Sequence, residues 1–192
     1  MTDRPPGRSA GVSATTAAPP RVAAPPLTAA TFDALYRATA DDLYAYVATL
    51  VRDRAAAEDV VAAAFERAYR RVRSYDPRRG SARQWLFGIA RNAALDELRR
   101  RRRHATLAVD PEDPAAAAAL ASHEDGTDGA LRRTAVRAAL DGLSPREREL
   151  VALKFHAGLS NAEIARVLGV SESNAGTLLH RTIAKLRKAC DA

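Results

Sequence analysis

Small polar and basic side chains near the C-terminus have the types and spacing that read DNA bases. The segment after Gly169 predicts an amphipathic helix whose apolar stripe runs from Ala175 to Leu186. Its opposite face begins with short hydrogen-bonding groups, as in a helix that enters the major groove. The residues expected there are Ser173, Gly176, Thr177, His180 and Arg181 at bases, and Ser171, Arg181, Lys185 and Lys188 at phosphates. The alternative is an ordinary solvated helix face.

A second group combines aromatic and basic side chains around residue 80. Three aromatic residues, Tyr75, Trp85 and Phe87, lie on or just after a loop that carries Arg78, Arg79 and Arg83. Unpaired bases stack on such aromatic rings, and arginines hold the backbone, so this pattern favours single-stranded nucleic acid. Trp85 could equally belong to the core. The run Arg99 to Arg103 could bind phosphates or simply stabilise the end of a helix.

The sequence lacks the residue patterns that metal binding, catalysis or membrane insertion would require. Four histidines are scattered without metal-ligand spacing, and the lone cysteine, Cys190, has no disulfide partner, so we expect no metal and no cofactor. Phosphate loops and catalytic groupings are also missing, which argues against an enzyme. Neither a membrane-spanning apolar run nor a secretory signal is found, so no membrane insertion and a cytoplasmic protein are expected.

Composition and charge predict two basic modules. The 192 residues carry 30 Lys and Arg against 23 Asp and Glu, a formal charge of +7 that suits an anionic partner. Residues 104–129 hold acidic groups without any Lys or Arg, whereas both flanking segments are basic. The prediction is an all-α protein: two small helical domains, joined by a flexible linker. Its parts are a disordered tail (1–26), a first domain (27–103), an acidic linker (104–130) and a second domain (131–192).

Capping signals predict where the helices begin. Apolar residues from Phe32 to Leu50 recur at helical intervals, and a second helix should follow Asp53, with residues from Val60 to Val72, Tyr69 included, on its inward side. The sequence Ser81-Ala-Arg-Gln84 has the form of a capping box and should open a long helix that ends in Arg99 to Arg103.

Two more capping boxes, Ser144-Pro-Arg-Glu147 and Ser160-Asn-Ala-Glu163, precede the C-terminal helices. The second of these helices should stop at Gly169, and the next begins after Ser171. A helix, a short turn with glycine and a second helix form the helix-turn-helix pattern that binds duplex DNA.

The string from Trp85 to Asn92, followed by Asp96 and Arg99-Arg100, is similar to the WLxxIARNxxxDxxRR signature of the extracytoplasmic-function sigma factors of bacterial RNA polymerase. The resemblance covers about residues 31–103 and 131–190. It implies a three- to four-helix bundle for sigma region 2 and a four-helix helix-turn-helix domain for sigma region 4.

The resemblance also implies partners: core RNA polymerase, promoter DNA and an anti-sigma factor. Glu58, Asp59 and Phe65 fall where the family contacts polymerase. The loop from Tyr75 to Gln84 would hold a base flipped from the -10 element, and the segment from Ser171 to Lys188, Asn174 included, would read the -35 element. The -10 residues implied are Tyr75, Arg78, Arg79, Trp85, Arg91, Asn92, Asp96, Arg99 and Arg100.

The chain departs from the family pattern at four positions. Ala62 and Ala63 replace polar residues on the expected polymerase face, and Gly176 and Leu178 replace basic residues on the recognition helix. The C-terminal segment also resembles the helix-turn-helix of LuxR-type regulators, which act without being polymerase subunits. The basic segment that carries Trp85 to Asn92 favours the sigma factor over that alternative.

Overall fold

The computed structural model describes residues 27–107 and 136–190, and both ranges are almost entirely helical. The N-terminal lobe consists of α1 (Ala29–Val51), α2 (Arg54–Arg70), a short 3-10 helix (Val72–Ser74) and α3 (Ala82–Leu107). The C-terminal lobe consists of a helical segment at 136–141, α4 (Pro145–Phe155), α5 (Asn161–Leu168) and α6 (Glu172–Cys190). The described ranges contain no strand, which confirms the all-α prediction. The predicted tail and residues 108–130 of the predicted linker lie outside these ranges.

Side-chain caps begin most of these helices, as the sequence predicts. Asp53 Oδ1 accepts a hydrogen bond from the Ala56 backbone at 2.8 Å and opens α2. Complete capping boxes open α4, where Ser144 and Glu147 exchange bonds with each other's backbone, and α5, where Ser160 and Glu163 do the same. These contacts satisfy backbone donors that have no partner inside the helix.

The start and the end of α3 differ from the prediction. Ser81 Oγ accepts from the Gln84 backbone at 3.1 Å, but the buried Gln84 Oε1 makes no hydrogen bond, so only half of the capping box forms. That oxygen lies where a Cβ on Gly80 would stand, 1.8 Å away, so the glycine makes room for it. The helix also continues through the arginine run to Leu107, so the predicted end at Arg103 was four residues short.

The N-terminal core is built where α1, α2 and α3 meet. The fully buried large side chains of this lobe include Leu43, Tyr46, Val47, Leu86 and Phe87. Burial of Phe87 removes it from the aromatic residues predicted to stack on bases; its ring packs 5.4 Å from that of Tyr46 instead. Tyr69 is 58% exposed, contrary to the predicted inward side of α2, and its ring rests against Phe32.

The two lobes pack directly against each other, a contact that the sequence did not predict. Helix α1 lies along α4, and α3 lies against α5. The buried residues of both lobes form one continuous cluster, from Leu43 in α1 to Ala175 in α6. We call the interface between the two lobes the seam. Because each lobe is too small to bury a large core by itself, the seam adds buried apolar surface to both lobes.

Acid should weaken the start of α2 through Asp53. The Ala56 backbone N–H and the Arg101 guanidinium, 3.3 Å away, lower the pKa of this carboxyl below its ordinary value of 3.8. The charged Asp53 carboxylate therefore contributes its full stabilisation of the folded protein above that value, and this contribution is lost as pH falls through the lowered pKa of the folded state. We expect Asp53→Asn, which keeps an accepting oxygen but cannot ionise, to be less stable than wild type at pH 6. Urea denaturation should show that difference shrinking towards pH 3; a constant difference would contradict the role of the charge.

Candidate nucleic-acid interface

The predicted helix-turn-helix is present at Gly169 to Ser171. Gly169 ends α5 in the left-handed conformation, with φ at 69°, which glycine adopts at little cost. The Val170 backbone N–H donates to the Ala165 carbonyl at 3.0 Å, and Ser171 Oγ accepts from the Asn174 backbone at 3.2 Å to begin α6. The turn therefore fixes the angle at which α6 leaves α5.

One face of α6 is exposed to solvent. Its inward side is buried at Ala175, Leu179 and Thr182, and Thr182 Oγ1 donates back to the Leu178 carbonyl. The exposed residues, which we call the recognition face, are Ser171, Ser173, Asn174, Thr177, His180, Arg181 and Lys185. Lys185 Nζ is held 3.1 Å from Glu147 Oε2 on α4, so this amine is also tied to its own lobe. Their contacts with DNA stay predictions.

Gly176 does not share that exposed face. It is half-buried against the start of α5, and a Cβ built on it would come 3.5 Å from the Asn161 side-chain nitrogen, an ordinary contact distance. The backbone at Gly176 is normal helix, so no positive φ requires glycine there. A close approach of this residue to DNA is therefore less favoured than the sequence suggested.

The loop between the 3-10 helix and α3 encloses a pocket of about 620 Å³, which we call the aromatic pocket. Its lining residues are Ser74, Tyr75, Asp76, Arg79, Gly80, Gln84 and Trp85, together with Arg166 from the C-terminal lobe. The Tyr75 and Trp85 rings lie 5.5 Å apart at an angle of 51°. Rings beside arginine side chains offer a stacking surface for an unpaired base.

Tyr75 shapes this loop and has little free surface. It is 9% exposed, and its hydroxyl donates to the Gly80 carbonyl at 3.0 Å across the loop. Burial, with the nearby Asp76 charge, raises the pKa of the phenol. Trp85 is half-buried, which leaves part of its ring at the pocket, and Arg79 is exposed at the rim. Arg78 is also exposed, but it does not line the pocket.

The residues predicted along the single strand lie on α3 and form what we call the strand face: Arg91, Asn92, Asp96 and Arg99. All are exposed except Arg91, which is partly covered. Asp96 pairs with Arg99 at 2.9 Å, and the neighbouring Arg100 pairs with Glu97 at 2.8 Å. The two arginines at 100 and 101 lower the pKa of the Glu97 carboxyl. The Asp96–Arg99 pair is exposed on both sides and therefore weak, so Arg99 can turn to a phosphate at little cost. The Glu97 side chain is only 12% exposed, so the same argument does not extend to Arg100.

The predicted polymerase face on α2 is only partly accessible. Glu58 and Asp59 are exposed, and Glu58 pairs with Arg54 at 3.1 Å. Phe65 is only 8% exposed because Tyr36 covers it, with the ring centres 4.6 Å apart. Phe65 is therefore largely covered in this fold, and its ring supports the half-exposed Tyr36; its contact with polymerase stays a prediction.

Three residues join the lobes: Glu149 and Tyr46, which the sequence did not single out, and Arg83, which it placed on the basic loop near residue 80. Glu149 Oε1 accepts from Arg91 Nε at 2.7 Å and from the Tyr46 hydroxyl at 3.3 Å. Arg83 donates across the seam to the Ala157 and His156 carbonyls. No sequence signal identifies these pairs, because the partners are 58 to 103 residues apart.

Within the described ranges, no group of three or more His, Cys, Asp and Glu side chains could hold a metal ion. The same ranges contain no helix long and apolar enough to cross a membrane.

Comparisons with known proteins identify both lobes. The Sigma-70 region 2 family model matches residues 35–104, and the Sigma-70 region 4 model matches residues 133–186. The extracytoplasmic-function (ECF) RNA polymerase sigma factor SigL of Mycobacterium tuberculosis is 34% identical over 164 residues, which cover 83% of this chain and 88% of SigL. BldN of Streptomyces coelicolor, also an ECF sigma factor, is 33% identical over 82% of this chain, which spans 59% of BldN.

A solved structure has the same fold. The sigma factor RpoE of Bartonella quintana, crystallised with the anti-sigma factor NepR, matches with a TM-score of 0.69 at 22% identity. The match covers 84% of this chain and 98% of that chain. The arrangement of helices is therefore one already seen in a sigma factor.

Replacing Gly176 by alanine should stabilise the protein. The backbone at this position is helical, and a Cβ would stand at an ordinary contact distance from the Asn161 side chain. Alanine should therefore stabilise the helix by about 1 kcal/mol relative to glycine. Gly169→Ala is the matched control, because its φ of 69° makes a side chain cost about 1 to 2 kcal/mol there. Thermal unfolding should rise for the first variant and fall for the second. A destabilised Gly176→Ala would contradict this expectation and would mean that the added Cβ does not fit beside the Asn161 side chain.

Proposed function

This chain belongs to the extracytoplasmic-function family of RNA polymerase sigma factors, and we propose from that premise how its two lobes share promoter recognition. The protein directs promoter-specific initiation of transcription. The recognition face of α6 reads the -35 element as duplex DNA. The aromatic pocket and the strand face receive the -10 element after its strands separate. The domains at 27–103 and 131–192 divide these tasks.

The observation that carries this proposal is the presence of two chemically different nucleic-acid surfaces in one chain. The recognition face offers polar and basic groups on the solvent-exposed side of a helix, which suits a groove of duplex DNA. The aromatic pocket offers the half-buried Trp85 ring, backed by Tyr75, with Arg79 at the rim, which suits an unstacked base. A protein that opens a promoter needs both.

Core RNA polymerase is the proposed partner of the acidic surface of α2. Glu58 and Asp59 are exposed there, and Tyr36 adds an aromatic surface over Phe65. Ala62 and Ala63 provide no polar group, so the contact depends on fewer side chains than the family pattern supplies. Since RpoE was crystallised with an anti-sigma factor, we extend such a partner to this chain. The proposal implies a cytoplasmic protein, and it assigns no catalytic step to the chain.

The LuxR-type alternative is not favoured, because residues 35–104 match sigma region 2. The test is run-off transcription with purified core polymerase on promoter fragments selected by mapping transcript 5' ends. Initiation that depends on the added protein supports the sigma factor. Tight duplex binding without initiation at any such promoter would favour the free regulator.

Two arginine substitutions should separate the two surfaces. Arg181→Ala removes an exposed cation from α6 and should weaken binding to -35 duplex by about 1 kcal/mol, roughly fivefold. Arg79→Ala should leave that binding unchanged but reduce strand opening at the -10 element, because the pocket loses one of its two arginines beside the rings. Duplex affinity by fluorescence anisotropy and permanganate reactivity of unpaired thymines are the two measurements.

The matched control is Arg37→Ala, which removes an exposed arginine paired with Asp33 on α1, away from both surfaces. It should change neither readout. Equal losses of duplex binding for Arg181→Ala and Arg79→Ala would contradict the division of labour, since a general effect of charge would then explain both.

A further inference from the structure

The aromatic pocket includes a residue that the proposed function does not use. Arg166, on α5 of the C-terminal lobe, lines the pocket together with residues of the N-terminal lobe that include Tyr75, Asp76, Arg79 and Trp85. Stacking of an unpaired base needs an aromatic ring but not a second arginine. The presence of Arg166 therefore points to a further, anionic group in a ligand of this pocket.

Local contacts bring Arg166 to the pocket. Glu163, one turn earlier on α5, accepts a hydrogen bond at 2.5 Å from the hydroxyl of Ser81, the residue that precedes α3. Because residues three positions apart lie on the same side of a helix, Arg166 stands beside the same end of α3. Arg166 is itself exposed, so its guanidinium is accessible to a ligand in the pocket.

The lining of the pocket combines a stacking surface with a net positive charge. Among the described residues that line it, Arg79 and Arg166 provide two guanidinium groups, and Asp76 provides one carboxylate. Guanidinium groups form strong, charge-assisted hydrogen bonds with phosphate oxygens. The volume of about 620 Å³ falls in the range of about 300 to 1,000 Å³ that small-molecule sites occupy. The pocket therefore suits a small ligand that carries both a flat ring and a phosphate.

We propose that the aromatic pocket is a binding site for a free purine nucleoside monophosphate. The base stacks on the half-buried Trp85 ring, and the phosphate accepts hydrogen bonds from Arg79 of one lobe and Arg166 of the other. Asp76 Oδ1 accepts from the Arg78 backbone at 2.9 Å, which leaves the second carboxylate oxygen for the exocyclic amine of the base. A purine is favoured because its two fused rings cover more of the indole than a single ring does.

The inference goes beyond the proposed function, in which the same ring receives a base of the -10 strand. A nucleotide stacked on Trp85 excludes a strand base from that ring, so free nucleotide and strand compete for the pocket. Added adenosine monophosphate should therefore weaken the binding of a single-stranded -10 oligonucleotide. The recognition face lies on α6, away from the lining of the pocket, so binding of -35 duplex should not change.

Trp85 reports on its own pocket, because it is the only tryptophan in the 192 residues. A base stacked on an indole quenches its fluorescence. Titration of the full-length protein with adenosine monophosphate should therefore give saturable quenching, after correction for absorption by the nucleotide with free tryptophan. Adenosine and ribose 5-phosphate each carry one half of the ligand. Each should bind about tenfold more weakly than the complete nucleotide, since one lacks the charged acceptor and the other the stacking ring.

Substitution of Arg166 tests the part that the C-terminal lobe takes in this site. Arg166→Ala should weaken the binding of adenosine monophosphate about tenfold, through the loss of a hydrogen bond to a charged group. Arg166→Lys keeps the charge but not the forked pair of donors, so it should lose less. Arg146→Ala is the matched control, because it removes an exposed arginine of the same lobe that does not line the pocket. It should leave nucleotide binding unchanged.

The nucleotide site and the proposed function fail in different ways. Absence of saturable quenching by adenosine monophosphate overturns the nucleotide site, and so does equal affinity of wild type and Arg166→Ala. If the nucleotide does not bind but a -10 oligonucleotide quenches Trp85, the proposed function of the pocket stands without the nucleotide site. If the nucleotide binds and no such oligonucleotide does, the nucleotide site stands, and the part of the pocket in strand opening is contradicted.

Discussion

The packing of α1 against α4 is the contact on which the arrangement of this protein depends. At its centre Tyr46 is completely buried: its ring lies against Phe87 of α3 and its hydroxyl bonds to Glu149 of α4. Burial, followed by the Glu149 charge, raises the pKa of this phenol well above its ordinary value, so it stays a hydrogen-bond donor. One residue thus joins the core of the N-terminal lobe to the polar edge of the seam.

The same seam decides which cations are available to DNA. Arg83 donates hydrogen bonds to Asp42 and to backbone carbonyls of the other lobe, and its guanidinium lies 5.3 Å from the centre of the Phe87 ring. Because these contacts use its donors, Arg83 has a structural role here. Arg91 is engaged by Glu149, whereas Arg99 pairs with the exposed Asp96 and Arg100 with the largely covered Glu97, both on their own helix. A basic composition therefore overstates the positive surface that the protein presents.

Much of the fold follows from local sequence signals. The capping boxes at Ser144 and Ser160, the cap at Asp53 and the turn at Gly169 were all predicted, because each satisfies backbone groups within four residues along the chain. The predictions were wrong where the position of a side chain depends on packing and not on the residues next to it in the sequence. Phe87 is buried against Tyr46, and Gln84 turns towards Gly80 instead of completing its capping box. The predicted contacts of individual residues with DNA and polymerase stay untested.

The sequence by itself determined the helices, the helix-turn-helix and the family, because these depend on residues that are close along the chain or on a signature such as Trp85 to Asn92. Only the tertiary structure decided that Arg91 faces Glu149 and that Arg166 reaches the aromatic pocket. Those contacts join residues 58 and more positions apart, and no periodicity or cap encodes such a distance. The physical reason is that these contacts form only after the apolar surfaces of the two lobes have packed together. The partner of a charged residue at this interface is then set by the packing and not by its neighbours along the chain.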